Sequence, residues 1–108
     1  MARTVAVTDA TFKAEVYEAV KPVLVYFWAP WSEPCKAMIP MLGDVAAHQN
    51  ARLRVASVDI DTNAASSASF GIQDVPTLIL FKNGRPITRL VGVLTKDELL
   101  EKVSPLLF

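Results

Sequence analysis

Val23 to Ala29 is an unbroken run of seven apolar residues that ends at Pro30. A strand with one wet face alternates polar and apolar residues, so a continuous run of this length reads as a central strand buried on both faces. Helices must then lie on both sides of the sheet that contains it, which makes the chain α/β. The 108 residues, 52% of them hydrophobic, suffice for one core and one domain spanning residues 1–108.

The flanking segments supply those helices. Thr8 and Asp9 offer N-cap oxygens to a helix on which Phe12, Val16, Ala19 and Val20 recur at helical spacing. Beyond Pro30, Cys35, Met38, Leu42 and Val45 form a second apolar face, in a helix that Pro40 should kink. Arg52 to Asp59 reads as a strand, and Asn63 to Phe70 as a short helix stopped by Gly71. Thr77 to Phe81 and Ile87 to Val91 flank Lys82-Asn83-Gly84-Arg85, whose Asn-Gly pair suits a tight hairpin turn. Thr95 and Glu98 form a capping box for a last helix that buries Leu99, Val103 and Leu106. The expected order is β-α-β-α-β-α-β-β-α.

Eleven basic and eleven acidic residues give a net charge of zero, so bulk charge favours neither nucleic acid nor an anionic membrane. The chain reaches Asp9 before any apolar stretch long enough for a signal peptide, and it is expected to be cytoplasmic. A lone Cys35 excludes an intramolecular disulfide and a cysteine-cluster metal site. His48, the only histidine, sits on a helix between Ala47 and Gln49 and reads as a solvated surface residue. No metal or cofactor is expected.

Trp28-Ala29-Pro30-Trp31-Ser32-Glu33-Pro34-Cys35-Lys36 lies where the buried strand turns into a helix, and this segment resembles the active site of the thioredoxin family. Asp59-Ile60-Asp61, Phe70-Gly71-Ile72, Val75-Pro76-Thr77, Phe81-Lys82-Asn83-Gly84 and Gly92 match further family positions in order. The resemblance implies a mixed five-stranded sheet flanked by four helices, in agreement with the order read from the residues.

The family motif is Trp-Cys-Gly-Pro-Cys; here Ser32 stands for the first cysteine and Glu33 for the glycine. In the family that first cysteine attacks a substrate disulfide as a thiolate at a helix N-terminus. A serine hydroxyl forms no stable mixed disulfide, so Ser32 is expected to cap the helix. A carboxylate at Glu33 opposes the positive potential that would favour a thiolate. The family's buried aspartate is Tyr26 here, and the lysine that often accompanies it is Ser57. Losing one member of such a pair would strand a buried charge at about 3–5 kcal/mol, and here both are gone. Tyr26 is expected to fill core space with one satisfied hydrogen bond.

Cys35 matches the family's second, resolving cysteine. The resemblance also implies that Pro76 is cis and that Val75 offers backbone groups to an extended protein or peptide segment by β-addition. Trp31, Ile72, Val75, Gly92 and Val93 would border that groove, with Trp28 in the core. Two readings follow. The first is a monomeric, redox-inactive binding or scaffold module within this cell redox homeostasis family. The second is a monothiol oxidoreductase in which Cys35 works with glutathione, and it requires an accessible Cys35.

Overall fold

Strand β2 (Val23–Trp28) occupies the middle of the sheet and is paired on both edges, as its unbroken apolar run requires. The computed structural model describes residues 4–49 and 52–107. The other strands are β1 (Val5–Ala6), β3 (Arg54–Asp59), β4 (Thr77–Lys82) and β5 (Arg85–Val91), in the spatial order β1-β3-β2-β4-β5. β3 runs parallel to β1 and β2, whereas β4 is antiparallel to β2 and β5. The sheet is mixed and five-stranded.

Alternation along β2 divides the core in two. Leu24 and Tyr26 face one layer with Cys35, Met38, Leu42 and Val45 of helix α1 (Glu33–His48) and Leu99 and Val103 of α3 (Lys96–Val103). Val23, Val25 and Phe27 face the other, with Phe12, Val16, Ala56, Val58, Ile79 and Phe81. The expected buried face of α1 is therefore present residue for residue, and Pro40 lies inside a helix that runs on to His48. His48 is exposed, with Nδ1 2.8 Å from the Asp44 carbonyl.

The hairpin and the capping box form as the local sequence indicates. Asn83 and Gly84 both have positive φ, 56° and 77°, as a two-residue turn of this hand demands. Thr95 accepts the Glu98 amide at 3.1 Å while the Glu98 carboxylate accepts the Thr95 amide at 2.9 Å. Helix α2 (Ala64–Ser69) ends in a Schellman motif: Ile72 N–H bonds Ser67 C=O, Gly71 N–H bonds Ala68 C=O, and Gly71 has φ 60°. Leu106 lies in a separate 3₁₀ turn (Ser104–Leu106) and is only half-buried.

The first helix departs from expectation. It is a single π-type turn (Lys13–Tyr17) in which Glu18 N–H reaches back five residues to Lys13 C=O at 2.9 Å. Phe12 and Val16 are buried as expected, but Val20 is 98% exposed, because the turn ends before it and Pro22 disfavours helix at the residue preceding it. Thr8 does accept the Thr11 amide at 3.3 Å, yet Asp9 does not cap this turn. Its carboxylate instead takes the Ser66 amide at 2.8 Å, the Ser66 hydroxyl at 2.6 Å and the Ala65 amide at 3.2 Å, capping α2 from across the fold. Asn63, which precedes α2, accepts the Asp9 amide at 2.9 Å. The β3 strand begins at Arg54, two residues later than expected, and β5 begins at Arg85, two residues earlier.

Candidate functional site

Three chain segments meet at one end of the sheet. β2 leaves the sheet at Trp28 and enters the motif loop; its Phe27 is paired with Thr77, the first residue of β4, so Pro76 lies beside the start of that loop. Thr77 is in turn paired with Val91, the last residue of β5, and Gly92 N–H donates to Pro76 C=O at 2.9 Å. The Val75–Pro76 peptide bond is cis, as the resemblance implies.

Ser32 starts α1 with extended backbone, φ −95° and ψ 110°, and its Oγ accepts the Cys35 amide at 3.3 Å. This is the N-cap role expected of it: a side-chain oxygen satisfies one of the amides that a helix start leaves without an intrahelical partner. Ser32 is 6% exposed and Cys35 is 0% exposed, so both are covered. Pro34 sits in the first turn, where its missing N–H costs nothing. Glu33 is solvent-exposed and lies 3.5 Å from Lys36 Nζ, a surface pair worth at most about 1 kcal/mol.

Beneath them Tyr26 donates its hydroxyl to the Cys35 carbonyl at 2.5 Å, the single satisfied bond expected of a core tyrosine. Burial first, and interaction with Cys35 second, push its ionisation well above the ordinary tyrosine range. A phenol held neutral in this way is a poor proton carrier. Tyr26 is also paired with Ser57, so the two family-divergent positions are direct cross-strand neighbours.

Trp31 and Val93 are 67% and 60% exposed, and Val91, which sequence reasoning did not single out, is 58% exposed. Ile72 and Val75 are half-buried, packed against opposite core layers. Pro76 is buried and Gly92 half-buried. Trp28 packs against the core as expected, although it is not fully covered. Val75 N–H and C=O make no hydrogen bond to other described residues. A hollow of about 120 Å³ flanks this region, lined by Ile72, Asp74, Thr77, Arg89 and Val91. The indole N–H of Trp31 donates to Asp61 Oδ1 at 3.3 Å, and Asp59 Oδ1 accepts the Asp61 amide at 2.9 Å. Asp61 is therefore a site residue that the sequence showed only as a family-pattern position, with nothing to indicate its partner.

Among the described residues no helix is long and apolar enough to cross a membrane. The family model described as Thioredoxin matches residues 3–105. The chain is 46% identical over 101 residues to a thioredoxin of Mycobacterium tuberculosis (strain ATCC 25618 / H37Rv), covering 94% of this chain and 87% of the relative. It is 47% identical over 103 residues to a thioredoxin of Mycolicibacterium smegmatis, covering 94% and 92%. It is 41% identical over 99 residues to thioredoxin 1 of Synechococcus elongatus (strain ATCC 33912 / PCC 7942 / FACHB-805), covering 92% of each. With its mixed sheet, its cis Val75–Pro76 bond and its motif loop at the head of α1, this chain belongs to the thioredoxin family.

Proposed function

We propose that this thioredoxin-family chain is a binding module without dithiol–disulfide turnover, gripping extended protein segments in the groove beside Pro76. The observation that carries the reading is the hydroxyl of Ser32 accepting the Cys35 amide at the head of α1, where the family mechanism needs a thiolate. Oxygen in that position can cap a helix but cannot exchange with a disulfide.

Binding is supported by the other half of the site. The backbone groups of Val75, which bond no other described residue, can accept an extended segment by strand addition, and the exposed Trp31, Val91 and Val93 supply apolar area at the same end of the sheet. The glutathione-dependent monothiol reading asks for an accessible sulfur, and the complete burial of Cys35 counts against it.

Insulin-disulfide reduction, with a dithiol reductant and separately with glutathione, tests the loss of turnover. Wild type is expected to be no faster than Cys35→Ser; a Cys35-dependent rate overturns the reading. Titration of ¹⁵N-labelled protein with S-carboxymethylated insulin B chain tests the groove. Saturable shifts are expected at Val75, Gly92 and Val93, and a footprint that avoids them refutes the groove.

A further inference from the structure

On the face of the sheet beneath α1, Ala6, Ser57 and Tyr26 form one cross-strand row, Ala6 paired with Ser57 and Ser57 with Tyr26. Two of the three are small, and the space they leave beside Ile39 and Leu42 of α1 is a pocket of about 200 Å³, lined also by Thr4 and Trp28. Ile39 is 48% exposed although it is aliphatic, so this part of α1 is incompletely covered. The pocket is separate from the groove beside Pro76 and shares no lining residue with it.

We propose that this pocket is a binding site for a small neutral aromatic molecule of one ring or a fused pair, carrying one or two hydrogen-bonding substituents. Four observations fix that class. An apolar cavity of about 150 Å³ stays dry and accommodates benzene, so a pocket of this volume suits one or two rings, and it falls below the range of drug-sized or nucleotide ligands. The aromatic faces and edges of Tyr26 and Trp28 favour a ring over an alkyl chain. Among the described residues no carboxylate, ammonium or guanidinium lines the pocket, and the Tyr26 hydroxyl donates to the Cys35 carbonyl, so the described lining offers an ionised ligand no charge to compensate its desolvation. Two hydroxyl residues, Thr4 and Ser57, line the pocket, and neither side chain hydrogen-bonds another described residue, so they can serve one or two polar substituents on the ligand. Through the Tyr26–Cys35 bond, the pocket floor is joined directly to the first turn of α1.

The test is titration of the ¹⁵N-labelled chain with indole, with benzoate as an anionic probe of similar size. Saturable shifts are expected for Ala6, Ile39 and Ser57 with indole, and benzoate is expected to bind at least tenfold more weakly. Ser57→Leu, which fills the pocket, is expected to abolish the indole shifts while Val75 and Gly92 keep their wild-type positions. Ala6→Leu is the second filling variant, and the wild-type footprint decides the matter without either. No saturation by indole, a footprint centred on Trp31 and Gly92, or equal binding of benzoate overturns the proposal.

Discussion

The hydroxyl of Ser32 and the amide of Cys35 are joined at 3.3 Å, one turn apart at the head of α1. The Ser32 side chain and the Cys35 backbone therefore share one helix start, at the positions of the family's cysteine pair, and exchanging the oxygen for sulfur is expected to restore a disulfide pair. Ser32→Cys should lose two hydrogens by mass under mild oxidation and should gain insulin-reducing activity that Cys35→Ser removes. Ser32→Ala should cost about 1 kcal/mol in urea unfolding through the lost cap.

Tyr26→Phe removes the hydroxyl that the Cys35 carbonyl accepts and changes little else in the core. Loss of one buried bond of this kind is expected to destabilise the chain by about 1–2 kcal/mol, read from the urea midpoint at constant slope. In a Tyr17→Phe background, which leaves Tyr26 as the only tyrosine, tyrosinate absorbance should not rise through the ordinary tyrosine range while the chain stays folded.

Asp9 binds the start of α2, and its carboxyl is held below its ordinary value of 3.8 by the Ser66 hydroxyl first and the Ser66 amide second. A carboxylate whose folded pKa is depressed adds stability above its unfolded pKa and gives it up as pH falls through the folded one. The thermal midpoint is therefore expected to fall on acidification below the ordinary carboxylate range. Asp9→Asn should lower the midpoint at neutral pH by a few degrees and flatten part of the acid slope. Glu98, depressed by its capping box with Thr95, supplies another part of that slope.

Gly84 and Gly71 both have positive φ, but only Gly84 is crowded: a Cβ there would lie 2.9 Å from the Tyr17 carbonyl oxygen, whereas one at Gly71 would meet nothing within 4 Å. Gly71→Ala should cost about 1–2 kcal/mol from backbone conformation alone. Gly84→Ala should cost at least about 1 kcal/mol more, because backbone must move, and differential scanning calorimetry of the two variants checks the order.

Elements whose signals lie within a few residues were legible in the chain. The two-sided burial of β2, the Cys35–Met38–Leu42–Val45 face of α1, the Asn83-Gly84 turn and the Thr95–Glu98 box all rest on periodicity or on partners three or four residues apart. The motif loop and the cis Pro76 were reached by family resemblance, and the structure brings them together through the Phe27–Thr77 pair. What the sequence could not show was which polar groups meet across long separations. Asp9 lies 57 residues from the Ser66 it caps, and Trp31 lies 30 from Asp61. A side chain with capping chemistry fits any helix start within reach, and only the tertiary fold decides which one that is. Likewise Val20 kept a helical spacing but lost its helix to the π-type turn and Pro22, and the pocket beneath α1 exists because strand register aligns Ala6 with Ser57. Sequence determines local periodicity; register and packing determine which distant residues share a site.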